Sequence, residues 1–388
     1  MAGPLTGLRV VDLSRILAGP TLTQMLADLG ATVIKIEKPG QGDDTRTWGP
    51  PWLKDKNGNE TGESGYYMSA NRGKHSVAVD IATPEGADIV RKLVADADFF
   101  VENFKVGGLK KYGLDYESLS ALNPGLIYLS ITGFGQTGPD AAQPGYDYLI
   151  QARSGLMSIT GHPNTGPTRV GVATSDLQTG LMGGVGVLAA LYHREKTGEG
   201  QHIDLALLDT QVAGLINQGF NHLMTGKVPG LTGEYHPNLA PYQPFNAKDR
   251  PFVIAVGNDS QFRSLCRQLS VEHLADDPRF STNPARNANR VAMVELLSAE
   301  LAREDAAHWL DILPKANVPA CPINTMDQVF ADEQVKARGM QIELDHPLSG
   351  RVPGIANPLK FSKTPLEYTK AAPMLGEDTD EVLDALKN

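Results

Sequence analysis

The start of the chain alternates between apolar runs and a segment with helical periodicity. The runs LRVVDLS (8–14) and ATVIKIEKP (31–39) are each typical of a strand buried in a sheet. Between them, Leu22, Leu26 and Leu29 recur at a spacing that places them on one face of a helix. This order predicts a β-α-β unit at the N-terminus.

The same alternation continues through the first half of the chain. A helical pattern begins near Pro84, and apolar strands follow at 99–104 and 125–133. A long glycine-rich helical pattern then starts at Ser175. Strands that alternate with helices predict an α/β fold in which helices cover a parallel sheet.

The second half of the chain changes character near residue 226. Glycine, proline and asparagine dominate the next residues, which predicts a linker and loops. Helical patterns prevail up to about residue 320, and a strand-rich tail with a final helix follows. We therefore expect three segments, 1–225, 226–320 and 321–388, the second of which is a smaller domain.

Length and charge limit the possible functions. The chain has 388 residues, which is longer than the chain of an ordinary domain with a single core. This length predicts two domains. The formal net charge is −10. Because nucleic acid and anionic membrane surfaces attract basic patches, this charge disfavours both as partners. A local basic site for one phosphorylated ligand remains compatible with it.

Cysteine content and the N-terminal pattern indicate a location. Cys266 and Cys321 are the only cysteines, and neither lies in a Cys/His cluster, so no disulfide framework or metal site is expected. The start of the chain lacks the basic and apolar regions of a signal peptide. The apolar run after Gly180 is short for a bilayer span. We expect a cytoplasmic protein without a membrane segment.

Several motifs of common enzyme classes are missing. The turn SRILAGPTLTQ lacks the GxGxxG glycines that let a backbone approach a pyrophosphate, which disfavours a dinucleotide site. The chain also has no GxxxxGK[ST] loop, no HExxH and no GxSxG elbow. Metal-dependent and serine-hydrolase chemistry therefore have little support.

Polar segments lie beyond the carboxyl ends of the predicted strands, where α/β proteins place ligands. Four such segments stand out: 14–20, 37–51, 71–76 and 102–113. The last two are rich in cations: Arg72, Lys74, Lys105, Lys110 and Lys111. Each segment alone is also compatible with a solvated loop. Together, in an acidic protein, they indicate an anionic ligand with several phosphates.

Asp176 stands at the start of the glycine-rich helix, within TRVGVATSDLQTG. An aspartate at this position is compatible with a helix cap, which stabilises a helix by about 1 kcal/mol. It is also compatible with a carboxylate nucleophile that the helix dipole keeps ionised and that neighbouring glycines leave accessible. The residues around Asp176 leave both interpretations open.

The chain resembles the family III CoA-transferases, of the formyl-CoA transferase and carnitine CoA-transferase type. The resemblance rests on segments in this order: LRVVDLSRILAGP, LGATVIKIEKPGQGDDTR, NRGKHSVAVD, VENFKVGGL, SITGFGQTGP, GVATSDLQTG, KTGEGQHIDLALLD and LGEDTDEVL. It implies that Asp176 is the catalytic aspartate. It also implies a Rossmann-like large domain, completed by residues 321–388, and a smaller α+β domain. Two chains would interlock as a homodimer, with the active site between the large domain of one and the small domain of the other.

The resemblance further implies which residues contact CoA, which is a substrate here and not a permanently bound cofactor. These residues are Ile16, Leu17, Ala18, Lys38, Asn71, Arg72, Lys74, Asn103, Phe104 and Lys111. Asp147, in the segment GYDY, matches an acidic residue near the reaction centre. The chain departs from formyl-CoA transferases in one segment, because HPNLAPYQPF stands where their glycine-rich flap GGGGQ would be.

The reaction implied by the resemblance passes through a mixed anhydride and then an aspartyl-CoA thioester on Asp176. Segments such as GDDTRTWGPP are most similar to the branch that transfers CoA from succinyl-CoA to glutarate. A dicarboxylate needs a cation for its second carboxylate, and Arg46 and Arg169 are the candidates because a guanidinium binds a carboxylate through two hydrogen bonds. Either arginine is also compatible with a structural ion pair.

Two other functions are compatible with the same resemblance. α-Methylacyl-CoA racemases use an aspartate near this position as an acid–base group, partnered by the histidine of a GHD motif. This chain has Tyr146 at the place of that histidine, and tyrosine matches such a proton transfer poorly. The other alternative is a non-catalytic CoA-binding homologue, which the presence of Asp176 disfavours.

Overall fold

The computed structural model describes residues 3–387. Its strands are β1 (Arg9–Asp12), β2 (Thr32–Glu37), β3 (Trp52–Lys54), β4 (Glu60–Ser64), β5 (Lys74–Ala78), β6 (Phe99–Glu102), β7 (Ile127–Thr132), β8 (Gly161–His162), β9 (Gly166–Pro167), β10 (Gln201–Ala206), β11 (Tyr242–Asn246), β12 (Pro251–Ala255), β13 (Ala320–Pro322), β14 (Gln341–His346) and β15 (Gly350–Ile355).

The helices are α1 (Ala18–Asp28), α2 (Gly65–Ser69), α3 (Pro84–Ala95), α4 (Tyr116–Leu122), α5 (Asp147–Arg153), α6 (Leu156–Ile159), α7 (Thr174–Thr197), α8 (Leu207–Ala213), α9 (Ile216–Thr225), α10 (Asp259–Gln268), α11 (His273–Asp276), α12 (Asn283–Ala288), α13 (Arg290–Leu301), α14 (Ala306–Lys315), α15 (Met326–Ala331), α16 (Glu333–Ala337) and α17 (Thr379–Ala385). Short 3-10 helices lie at Asp44–Thr47 and Lys110–Tyr112.

A six-stranded sheet with the order β10-β7-β6-β1-β2-β5 forms the centre of the larger unit. All of its strand pairs are parallel, and Val10 of β1 pairs with Val33 on one side and Phe99 on the other. The chain first builds outward from β1 through β2 to β5 and then crosses back to β6. Between β1 and β6 the strand order therefore reverses, which is where open α/β sheets bind ligands. The predicted α/β fold with a parallel sheet is confirmed.

The chain divides into two compact units at boundaries that differ from the predicted ones. The larger unit contains the residues up to Leu156, then Val170–Lys227, and the chain from Glu333 onward. The smaller unit contains Met157–Arg169 and Val228–Asp332. The sequence pattern placed the second boundary at 320, but β13 continues the sheet of the smaller unit through a pairing with β12.

The smaller unit is built on the antiparallel sheet β11-β12-β13 and the helices α10 to α14. Its core includes the fully buried Phe252, Phe262 and Leu297. The residues 242–246, which the sequence pattern assigned to a loop region, form β11 although Pro244 lies within it. Since β11 is an edge strand, the missing proline N–H does not interrupt the sheet.

The glycines of α7 explain how this helix lies against α1. A Cβ on Gly180 would lie 2.9 Å from the carbonyl oxygen of Ala18, and one on Gly183 would lie 3.1 Å from Leu22. Glycine at these positions therefore lets the two helices approach closely near their N-terminal ends. As a consequence, the first turn of α7 lies beside the loop that follows β1.

Candidate functional site

A cavity of about 480 Å³ opens at the carboxyl ends of β1, β6 and β7, where the strand order of the sheet reverses. Its walls come from the loops after these strands, from segment 141–146 and from the first turn of α7. The cavity brings together seven residues that the resemblance implied: Ile16, Leu17, Ala18, Asn103, Phe104, Lys111 and Asp176.

Asp176 is the third residue of α7 and is half-buried at the wall of the cavity. Within residues 3–387 no group donates a hydrogen bond to its carboxylate. Burial, with a smaller contribution from the charge of Asp147, raises the pKa of Asp176 to about 7. An unpaired carboxylate with this pKa suits nucleophilic or acid–base chemistry near neutral pH.

Asp176 does not cap its own helix. The N-cap residue is Ala173, which has no capping side chain, and the carboxylate of Asp147 performs this role from α5. The Oδ1 atom of Asp147 accepts hydrogen bonds from the backbone N–H of Ser175 at 2.8 Å and of Asp176 at 3.4 Å. The Oδ2 atom of Asp147 accepts one from the side chain of Gln151. The cap interpretation of Asp176 is therefore wrong, and Asp147 lies next to Asp176.

Basic side chains surround the mouth of the cavity. Lys105 and Lys111 line it on the side of β6, and Arg15 lines it on the side of β1. Arg15 is exposed and forms an ion pair with Asp44 at 3.0 Å. The sequence interpretation named the segment SRILAGP but not Arg15, although a cation directly after a buried strand was a usable signal.

Lys38 lies in a neighbouring cavity of about 240 Å³. The two cavities share Arg15, Phe104 and Tyr112 in their walls. The second one extends along the ends of β2 and β5 and includes Asp80. The first cavity, with Asp176 in its wall, therefore adjoins the second cavity, with Lys38 in its wall.

Three residues expected to contact CoA do not line these cavities: Asn71, Arg72 and Lys74. All three are buried. Arg72 binds Asp28 through two hydrogen bonds of 2.8 and 2.6 Å, and the ammonium group of Lys74 lies 3.2 Å from Asp12 and 2.8 Å from the side-chain oxygen of Asn71. Lys74 is the first residue of β5, so the segment 71–76 contains the start of its strand and does not lie beyond the carboxyl end. These contacts favour a structural role.

Arg46 is likewise buried in the larger unit, where its guanidinium is bound by carboxylates. Its Nε and Nη2 donate to the two carboxylate oxygens of Glu37 at 2.9 and 2.8 Å, and Nη1 donates to Glu63 at 3.1 Å. It also lies over the ring of Tyr67, and it does not line the cavity. Of the two alternatives for Arg46, this geometry favours the structural ion pair.

Arg169 is exposed and belongs to the smaller unit. Its assignment to a substrate carboxylate stays a prediction. Segment 236–245 (HPNLAPYQPF), which stands in place of the glycine-rich flap, also lies in the smaller unit. It is anchored there, because Asn283 and Asn287 donate to the carbonyl oxygen of Asn238 and Arg286 donates to that of Ala240.

The loop after β1 is held on both sides by side chains. The Asn103 amide accepts a hydrogen bond from the N–H of Arg15 at 2.9 Å and donates one to its carbonyl oxygen at 2.7 Å. The carboxylate of Asp43 accepts from the N–H of Ile16, and Lys35 donates to the carbonyl oxygen of Ser14. This loop is therefore fixed before any ligand binds.

Two further searches covered the described part of the chain. No helix within residues 3–387 combines the length and apolar character needed to cross a membrane. Within the same residues, no three or more histidine, cysteine, aspartate or glutamate side chains are grouped so that they could hold a metal ion.

Comparison with known proteins gives matches over nearly the whole chain. The model of CoA-transferase family III matches residues 5–379. A succinate–glutarate CoA-transferase from Agrobacterium fabrum is 49% identical over 384 residues, which cover 99% of this chain and 96% of that protein. The succinyl-CoA:glutarate CoA-transferase of Mus musculus is 44% identical over 382 residues, which cover 98% of this chain and 86% of that protein.

A solved structure supports the same relationship. The crystal structure of a CAIB/BAIF family protein from Brucella suis is 49% identical to this chain, covers 100% of both chains and superposes with a TM-score of 0.88.

Proposed function

Because this chain belongs to CoA-transferase family III, we propose that Asp176 carries the transfer of CoA from succinyl-CoA to a short dicarboxylate such as glutarate. The family membership inferred from the ordered motifs is confirmed, and the enzyme is a CoA-transferase. The observation that carries the catalytic assignment is the unpaired carboxylate of Asp176 at the wall of a cavity at the sheet's reversal point. The names of the two relatives support the substrate class.

The proposed reaction exchanges one thioester for another. A carboxylate oxygen of Asp176 attacks the thioester carbonyl of the donor, the C–S bond breaks, and CoA leaves as a thiolate from a mixed anhydride. The thiolate then attacks the aspartyl carbonyl and releases succinate, which leaves an aspartyl-CoA thioester. The acceptor carboxylate repeats both steps in reverse order and leaves as its CoA ester.

The positions of the cations support the placement of CoA. Arg15, Lys105 and Lys111 surround the first cavity, and Lys38 lies in the adjoining one, so the phosphates of CoA would have cationic partners along this path. Holding the CoA thiolate beside the anhydride makes its return intramolecular, which can remove about 7–11 kcal/mol of encounter cost. No ATP is needed.

Covalent trapping tests this mechanism directly. Incubation with succinyl-CoA followed by hydroxylamine should convert Asp176 to a hydroxamate, which peptide mass spectrometry detects. Asp176→Asn should lower the transfer rate by about 10⁴-fold or more, since an amide oxygen is a poor nucleophile. The matched control is Asp209→Asn, because Asp209 is also the third residue of its helix but does not line the cavity. Full activity of Asp176→Asn would reject the mechanism.

A substrate panel separates the substrate class from the mechanism. With succinyl-CoA as donor, glutarate and other short dicarboxylates should form CoA esters faster than monocarboxylates of equal length. A hydroxamate at Asp176 without this preference would overturn the dicarboxylate class alone. Deuterium uptake from D₂O into a 2-methylacyl-CoA, without CoA transfer, would instead indicate the racemase alternative.

Arg169 remains the proposed partner of the second carboxylate of the acceptor. Arg169→Gln should raise the KM for glutarate more than the KM for butyrate, because only glutarate has a carboxylate for the guanidinium to bind. Arg303, another exposed arginine of the smaller unit, provides the matched control Arg303→Gln. An equal rise for both acids in Arg169→Gln would reject this role.

Two chains are proposed to form the interlocked homodimer that the resemblance implies. The larger unit exposes apolar stripes on two helices, which a second copy would cover: Leu181, Val185, Leu188 and Tyr192 on α7, and Ile216, Phe220 and Leu223 on α9. Light scattering should give twice the mass of the chain, and Val185→Glu should lower it. A monomeric wild type would overturn this assignment.

The cytoplasmic location stays a prediction that rests on the low cysteine content.

A further inference from the structure

Ile16 has a backbone conformation that isoleucine rarely adopts. Its φ is +73°, in the left-handed region, where branching at Cβ is unfavourable. The residue is half-buried and lines the catalytic cavity, directly before Leu17 and Ala18. Strain of this kind persists only where surrounding contacts impose it.

Those contacts come from three side chains. Asn103, the residue after β6, exchanges two hydrogen bonds with the backbone of Arg15, at 2.9 and 2.7 Å. On the other side, both carboxylate oxygens of Asp43 lie within 3.3 Å of the Ile16 nitrogen. Lys35 pairs with Asp43 at 2.9 Å and also donates to the carbonyl oxygen of Ser14. The backbone on the N-terminal side of Ile16 is thus fixed from β6 and from β2.

We propose that Asn103 is a positioning residue that acts through the backbone of Arg15 to hold Ile16 in the left-handed conformation. In this way it presents Leu17 and Ala18 to the acyl-CoA in the cavity. The inference rests on the proposed function, since it concerns the geometry of that same site. It differs from a direct contact with CoA, because it depends on the two hydrogen bonds that the Asn103 amide forms with the backbone of Arg15.

This role predicts a dependence on the residue at position 16. When Asn103 no longer holds Arg15, an isoleucine or an alanine at position 16 should relax to negative φ and displace Leu17 and Ala18. A glycine has no Cβ and adopts positive φ almost without cost, so the loop should keep its conformation. A direct contact between Asn103 and substrate would not depend on the residue at position 16.

The experiment measures kcat/KM for transfer from succinyl-CoA to glutarate after Asn103→Ala in three backgrounds: wild type, Ile16→Ala and Ile16→Gly. We expect Asn103→Ala to lower kcat/KM about tenfold or more in the wild type and in Ile16→Ala. In Ile16→Gly the loss should stay below about threefold. The alanine background separates the loss of the Ile16 side chain from the relief of strain.

A control and two outcomes complete the test. Asn123 provides the control, because its amide also bridges backbone groups, with donation to the carbonyl oxygens of Val94 and Ala97, but it does not line the cavity. Asn123→Ala should lower the melting temperature without this dependence on position 16. Equal losses from Asn103→Ala in all three backgrounds would overturn the inference. A wild type without transfer activity would instead overturn the proposed function.

Discussion

Two carboxylates of the larger unit, Glu37 and Asp176, show opposite uses of burial. Glu37 ends β2, and its oxygens receive hydrogen bonds from Arg46, from the backbone N–H of Asp43 and from the hydroxyl group of Ser76. Burial alone would raise its pKa, but Arg46 and Lys35 hold the pKa of Glu37 below its ordinary value. Among the residues that the structure describes, Asp176 has no such donors, and its pKa rises to about 7.

The comparison shows that burial does not by itself make a carboxylate reactive. At the end of β2 the carboxylate of Glu37 is surrounded by hydrogen-bond donors, so this group stabilises the scaffold and is unavailable for chemistry. At the start of α7 the fold supplies a second carboxylate, Asp147, instead of a cation. The proposed nucleophile is therefore the carboxylate that receives no hydrogen bond from the part of the chain that the structure describes.

Removing a partner from the paired region should have the largest effect on stability. Arg46→Gln leaves Glu37 buried without its guanidinium, and we expect the free energy of unfolding to fall by about 3–5 kcal/mol. Urea denaturation at pH 7.5 measures this loss. The KM for glutarate of the folded variant should not change, because Arg46 does not line the cavity.

A double variant tests whether the loss of stability comes from leaving Glu37 without its ion-pair partner Arg46. Arg46→Met combined with Glu37→Gln removes both charges, so it should be more stable than Arg46→Gln. A KM for glutarate that rises in Arg46→Gln while stability stays unchanged would instead assign Arg46 to the substrate.

The parallel α/β fold and the family were predictable from the sequence because both follow from order along the chain, and the nucleophile assigned to Asp176 stays a prediction. Alternating strands and helices indicate a parallel sheet, and the ordered motifs indicate Asp176. The distinction between paired and unpaired charges was not predictable. Arg72 and Lys74 have the residue types of a phosphate site, but their partners Asp28 and Asp12 lie more than forty residues away in the chain.

The same limit applies to roles that a residue performs through the backbone. Nothing in the segment ENFKVGG indicates that the amide of Asn103 would meet Arg15, since the contact depends on β1 and β6 being neighbours in the sheet. Likewise, Asp147 caps α7 although it belongs to α5. A sequence pattern identifies residue types at strand ends, whereas strand order decides which of them meet.

Asp176→Asn should make the protein more stable at alkaline pH, which sharpens the contrast with Glu37. The folded state raises the pKa of Asp176 from 3.8 to about 7, so ionisation opposes folding. The cost is absent below pH 4, grows as pH rises towards 7 and is fully present above it. Because the residue is only half-buried, we expect a gain of about 1–2 kcal/mol at pH 8.

Urea denaturation at pH 8 and pH 5 checks this sign. The gain in the free energy of unfolding from Asp176→Asn should be larger at pH 8 than at pH 5. The control Asp209→Asn should change this free energy by about the same amount at both pH values. A variant that is less stable at pH 8 than the wild type would mean that the Asp176 charge has a favourable partner.

The smallest expected effect is a shift of the pH profile in Asp147→Asn. The asparagine oxygen can still accept the hydrogen bond from Ser175, but the negative charge that contributes to the raised pKa of Asp176 is gone. Since the reaction needs the ionised nucleophile, kcat/KM of the wild type should rise with pH through about 7, and in the variant this rise should move to lower pH by less than about one unit. Tyr66 also lies near both aspartates, and burial and their charges raise its pKa, so it remains neutral over this range and does not contribute to the shift. A rise that stays at the same pH in Asp147→Asn would show that burial alone sets the pKa of Asp176, and a rise that moves to higher pH would contradict the electrostatic role of Asp147.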